Sequence, residues 1–81
     1  MSDLNSFDRW LFGTRLREAR EKNGWTQAEL ALRTGLRPSA ISHFEVGRRS
    51  PSTENLWRLL FVLKVPAEWI LGLKKTGKEM E

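Results

Sequence analysis

The sequence predicts an all-α fold of five short helices, and three observations predict it. Glycine and proline at Gly24, Gly35, Pro38, Gly47, Pro51, Pro66, Gly72 and Gly77 cut the chain into pieces of about 8 to 14 residues, the length of short helices. Within the pieces the apolar residues recur at helical spacing, and no segment alternates as a half-buried strand would. Thr26-Gln-Ala-Glu29 has the residues of a capping box, in which the Thr26 hydroxyl accepts from the N–H of residue 29 and the Glu29 carboxylate reaches back to the N–H of Thr26.

Helix one is expected over about 7 to 23, with Phe12, Leu16 and Ala19 on its apolar face and Gly24 placed to end it in a left-handed conformation. Helix two runs over about 27 to 34 from the capping box, with Ala28, Leu30 and Ala31 apolar and Gly35 ending it. Helix three covers about 38 to 46, where the fixed φ of Pro38 suits the first helical position and Ile41 and Phe44 turn inward. Helix four covers about 53 to 64, capped by Ser52, with Glu54 placing negative charge at its positive end and Leu56, Leu59, Leu60 and Leu63 forming an inward stripe. Pro66 suits the first position of helix five, over about 66 to 72. The stretch 74–81 is charged and poor in apolar residues, so it reads as a mobile tail on a domain spanning 1–73.

Composition narrows the function. The 81 residues suit one small domain, since domains usually hold about 100 to 150 residues, and at 40% hydrophobic the chain should fold alone, though marginally. Fourteen Lys and Arg against ten Asp and Glu leave a net charge of +4, which favours a polyanionic partner. Zero cysteines exclude disulfides, thiolate metal sites and a Cys nucleophile, and the lone His43 does not build a zinc site, so no metal and no cofactor are expected. The longest apolar run, Leu59 to Leu63, falls far short of the roughly 20 residues that span a bilayer, and the N-terminus has no basic region before an apolar stretch. A cytoplasmic protein with no membrane partner is the expectation. An enzyme finds no support: there is no Gly-rich phosphate loop, no usefully paired carboxylates and no His with partner Ser and Asp, and no small-molecule substrate is implied. RNA binding lacks its usual sign of aromatics on an exposed sheet.

Helix two, the three-residue turn Gly35-Leu36-Arg37 and helix three make a helix-turn-helix arrangement, whose second helix is offered to the major groove. Between Arg33 and Ser52 four arginines face only Glu45, so this stretch holds three of the four net positive charges. Arg37 occupies the N-cap of helix three, where a Ser or Thr would accept a backbone hydrogen bond, and puts a cation on the positive helix end. A broken local rule often marks a functional site, and Arg37 is expected to reach a phosphate or a guanine edge.

Trp25-Thr-Gln-Ala-Glu-Leu-Ala-Leu-Arg-Thr-Gly-Leu, Ser39-Ala-Ile-Ser and Phe44-Glu-Val-Gly-Arg-Arg-Ser-Pro-Ser52 resemble the Cro and phage-repressor type of helix-turn-helix protein, the XRE family, and the resemblance runs from about Phe12 to Leu73. It implies a compact five-helix, lambda-repressor-like DNA-binding domain, usually dimeric on double-stranded DNA, that regulates transcription at short inverted repeats. It further implies a phosphate contact for Gln27, base-facing positions for Pro38, Ser39, Ser42 and His43, backbone contacts for Arg48 and Arg49, and a structural ion pair between Arg20 and Glu45. Pro38 departs from the family pattern because it offers no donor, so His43 and Arg37 must supply most of the direct readout. Modest specificity per half-site follows, and dimerisation restores discrimination.

The aromatic residues exceed what one small core obviously needs. Trp25 is expected in the core between helices one and two. Trp57 and Phe61 lie four apart on helix four, Phe7, Trp10 and Leu11 extend helix one beyond the family match, and Trp69 lies on helix five. Either helix one folds over helices four and five in a larger core, or Trp57, Phe61 and Trp69 form a self-complementary dimer patch. Two functions follow: a homodimeric, sequence-specific DNA-binding regulator, acting as a repressor, or a protein-interaction module such as an antitoxin or transcription adaptor that uses the exposed aromatics.

Overall fold

The structure, a computed structural model, describes residues 7–73; the tail at 74–81 lies outside them. It contains five helices, α1 (Arg9–Lys22), α2 (Gln27–Thr34), α3 (Pro38–Glu45), α4 (Thr53–Leu63) and α5 (Ala67–Ile70), and no strand among the described residues.

Helix α1 begins at Arg9 and not at residue 7, because Asp8 is its N-cap: the Asp8 carboxylate accepts the N–H groups of Trp10 and Leu11, both at 3.0 Å. The capping box of α2 forms completely, with Glu29 N–H donating to Thr26 Oγ1 at 3.0 Å and Thr26 N–H donating to Glu29 Oε1 at 2.8 Å. Gly24 and Gly35 both take the left-handed conformation, with φ of +74° and +78°. Pro38 opens α3 as expected, and Ser52 caps α4 by accepting from Asn55 N–H at 3.1 Å.

Other ends also differ from the sequence reading: α1 stops at Lys22, one residue before 23, and α5 stops at Ile70, two residues before 72. Helix α3 stops at Glu45, one residue early. Helix α4 stops at Leu63, where Lys64 turns left-handed at φ +58° and its N–H closes on the Leu60 carbonyl at 2.8 Å. Pro66 is the N-cap of α5 instead of its first residue, because its extended ψ of 134° leaves its carbonyl to accept from Trp69 and Ile70; the helix is the single turn Ala67–Ile70. A fixed proline φ suits both positions, and only ψ separates them.

The core gathers one stripe from each helix: Phe12, Leu16 and Ala19 of α1, Leu30 and Ala31 of α2, Ile41 and Phe44 of α3, Leu59 and Leu63 of α4 and Ile70 of α5. Leu56 and Leu60 are only half-buried at its edge. Trp25 packs against the core from just before α2 with the Arg33 guanidinium 4.3 Å from its ring centroid. Helix α1 packs across α3 and reaches α5, where Arg15 sits over the Trp69 ring and donates to the Trp69 carbonyl. It leaves Trp57 and Phe61 uncovered at 62% and 66% exposure, so the larger-core arrangement does not form among the described residues. No helix among them is long and apolar enough to cross a membrane.

Candidate nucleic-acid interface

Helix α3 buries Ile41, Phe44 and Glu45 and turns the opposite stripe outward. Pro38 and Ser39 are exposed and Ser42 and His43 half-exposed, so the four positions expected to meet bases share one open face. The turn that sets α3 against α2 depends on Gly35: its N–H and that of Leu36 both close on the Ala31 carbonyl, at 2.8 and 3.0 Å, a geometry that needs the left-handed φ. Past the far end of α3, the N–H groups of Arg48 and Arg49 donate to the His43 carbonyl at 2.9 and 3.4 Å, which ties the basic loop to the helix and leaves both side chains exposed. Trp10, 67% exposed, lies against Gly47 in that loop.

His43 is more constrained than an open surface residue. Its Nδ1 is buried without a partner, so only Nε2 can be offered to a ligand. In the neutral ring a proton on Nε2 leaves just a lone pair inside, and His43 then acts as a single outward donor.

Arg37 makes no side-chain cap bond; its carbonyl accepts from Ala40 and Ile41 while its side chain stays exposed. Arg37→Ser should therefore add the missing cap and stabilise the fold by about 1 kcal/mol, while DNA affinity falls. A thermal melt and a binding isotherm on one preparation check both signs, and unchanged affinity would remove Arg37 from the interface.

Glu45 is the electrostatic centre behind this face. Its carboxylate is fully buried and accepts from Arg20 Nε at 2.6 Å, Arg20 Nη2 at 2.9 Å, Gln27 Nε2 at 3.0 Å and, at the limit of a hydrogen bond, Arg17 Nε at 3.5 Å. Arg20 also donates to the Trp25 carbonyl at 2.8 Å. Since the one acidic residue between Arg33 and Ser52 is buried and paired, its charge does not offset the exposed Arg33, Arg37, Arg48 and Arg49. Burial pushes the Glu45 carboxyl up, but hydrogen bonds from Arg20 and Gln27, the Arg20 charge and the Arg17 contact together hold it below the usual carboxylate range.

The sequence reading paired Arg20 with Glu45 but missed that Gln27 and Arg17 share the same carboxylate. One Gln27 N–H is committed to Glu45, and the second is not. Reading also missed Gly13, which lets α1 approach the backbone at Phe44 and Glu45. Its signal was present: a glycine amid a helical pattern with no turn to make. Trp57 and Phe61 stack at 5.2 Å between ring centroids with 14° between planes, away from the buried stripe of α4, and Trp69 is half-buried on the core under Arg15. No group of three or more His, Cys, Asp or Glu among the described residues could hold a metal.

A helix-turn-helix family model matches residues 16–70. The HTH-type transcriptional regulator ImmR of Bacillus subtilis is 35% identical over 69 residues, which are 85% of this chain and 54% of ImmR, so the chain spans about half the length of that relative. Among solved structures, the restriction-modification controller protein C.AhdI from Aeromonas hydrophila superposes with a TM-score of 0.73 at 35% identity, covering 78% of this chain and 96% of its own. The P22 c2 repressor, solved in complex with a synthetic operator, superposes with a TM-score of 0.71 at 33% identity, covering 74% of this chain and 91% of its own.

Proposed function

This chain belongs to the XRE-type helix-turn-helix family, and from that premise we propose that it is a sequence-specific DNA-binding transcriptional regulator, acting as a repressor by occupying an inverted-repeat operator as a homodimer. The observation that carries the reading is the open face of α3. Pro38, Ser39, Ser42 and His43 lie along it, Arg37 stands at one end, Arg48 and Arg49 at the other, and the one carboxylate between Arg33 and Ser52 is buried. In the major groove, Nε2 of His43, the two serine hydroxyls and the Arg37 guanidinium would meet base edges, and Arg48 and Arg49 with Gln27 would hold phosphates that set register. Likeness to a repressor solved on its operator supports the same orientation. Selection of bound duplexes from a random pool tests it. Enrichment of an inverted repeat with half-sites about 34 Å apart is the expected result, and binding without any enriched sequence would overturn it.

With two short serines and a proline on the reading face, one half-site discriminates modestly, so two copies are required. The Trp57–Phe61 stack is the surface we assign to dimerisation, because stacked, exposed aromatics favour self-complementary contact. Trp57→Ala with Phe61→Ala should give a folded monomer by sedimentation that binds operator at least tenfold more weakly, about 1.4 kcal/mol. A double variant that remains dimeric would assign the surface elsewhere and leave the stack for a partner protein.

A further inference from the structure

Glu45 carries one negative charge and faces two guanidinium groups. Arg20 takes most of it: the side chain is 11% exposed, two of its nitrogens reach the two carboxylate oxygens, and the third donates to the Trp25 carbonyl. Arg17 holds the same carboxylate only through Nε at 3.5 Å, and its side chain is 51% exposed. Both terminal NH2 groups of Arg17 lack an acceptor among the described residues. Two cations therefore share one anion, and the excess positive charge sits on the exposed member. The oxygen that Arg17 touches, Glu45 Oε1, is also the one that Gln27 reaches at 3.0 Å. Arg17 and Gln27 belong to different helices and meet across a single atom.

We propose that Arg17 is a DNA-backbone contact which, with the Gln27 amide, clamps one phosphate at the edge of the groove read by α3. This rests on the DNA-binding reading and extends the interface onto α1. A guanidinium held by Nε presents its two terminal nitrogens as a planar fork, the geometry that matches phosphate oxygens. A purely structural role leaves that fork unexplained, because Arg20 already neutralises Glu45 and a long, half-exposed ion pair contributes little. Glu45 then has two tasks: it locks Arg20 into the core, and it aligns two phosphate donors.

The test compares the salt dependence of binding to a short, labelled, mixed-sequence duplex for wild type, Arg17→Gln and Arg17→Lys. Loss of one phosphate contact should flatten the logarithmic slope by about 0.9 per bound subunit, so that between about 50 and 200 mM salt the wild type loses about 3.5-fold more affinity than Arg17→Gln for each subunit bound. Arg17→Lys should keep the wild-type slope, and all three should melt at similar temperatures. A wild-type slope in folded Arg17→Gln overturns the Arg17 assignment alone. Absence of salt-dependent binding by the wild type overturns the DNA reading and this inference together. Should Arg17→Gln fail to fold, labelling of the wild type with phenylglyoxal, mapped by mass spectrometry, decides the matter: protection of Arg17 by duplex supports the contact, and equal labelling with and without duplex overturns it.

Discussion

Glu45→Ala should leave the protein largely unfolded at temperatures where the wild type is native. The variant removes a carboxylate that is fully buried and strands the Arg20 guanidinium, 11% exposed, with only the Trp25 carbonyl as partner. Breaking a buried pair from one side costs about 3–5 kcal/mol, because the surviving charge keeps its desolvation penalty. Small domains have about 5–15 kcal/mol in total, and a loss of this size lowers the melting temperature by roughly 15 °C or more. A thermal melt followed by circular dichroism measures it, and a shift of only a few degrees would mean that water reaches Arg20 and the pair is not truly buried. A second comparison separates the penalty from the net worth of the pair: Arg20→Met with Glu45→Leu should recover most of the stability, since an apolar replacement of both partners strands no charge.

The same carboxylate sets an acid limit. Burial raises the Glu45 pKa, the hydrogen bonds from Arg20 and Gln27 and the neighbouring charge lower it, and the result lies below the ordinary value of 4.5. The unfolded chain then takes up a proton before the folded one does. Stability from this group is present above pH 4.5 and is lost as pH falls through the folded value. Glu45→Gln should show a flatter acid limb than the wild type.

What the sequence made legible was local. The capping box at Thr26 and Glu29, the left-handed Gly24 and Gly35, Pro38 at the start of α3 and Ser52 before α4 each depend on residues within one helical turn, so they could be read in order along the chain. Asp8 depends on an equally local bond, yet it sits between Phe7 and Trp10, and their apolar character suggested a helix already under way. The Arg20–Glu45 pair came through family resemblance. Its sharing with Arg17 and Gln27 did not, because three helices must be docked before those side chains converge on one oxygen. The width of the apolar arc on α4 was readable too. Which part of it stays uncovered depends on where α1 lies, and α1 reaches α5 through Arg15 and Trp69.

Where α1 lies is decided by Gly13, and Gly13→Ala should therefore destabilise the protein although alanine is the better helix former. Propensity alone favours the alanine by about 1 kcal/mol. Against that, a Cβ on Gly13 would stand 2.4 Å from the Phe44 carbonyl oxygen and 2.5 Å from that of Glu45, distances no carbon and oxygen sustain. These neighbours are backbone atoms at the last turn of α3, so no side-chain rotation relieves the clash. Either α1 lifts away or the end of α3 unravels. A lift of about 1 Å already disrupts core packing, whose tolerance is smaller than a methylene group, and it pulls Arg20 out of reach of Glu45. The net cost should fall at or above the upper end of the roughly 1–3 kcal/mol typical of overpacking, with Gly13→Val worse. The functional effect should exceed the stability effect, because the end of α3 also fixes the loop carrying Arg48 and Arg49. At a temperature where Gly13→Ala is still folded, its DNA affinity should fall by more than Arg37→Ser lowers it. A Gly13→Ala variant as stable as the wild type would mean that α1 and α3 do not touch at this point, and the placement of the whole reading face would have to be revised.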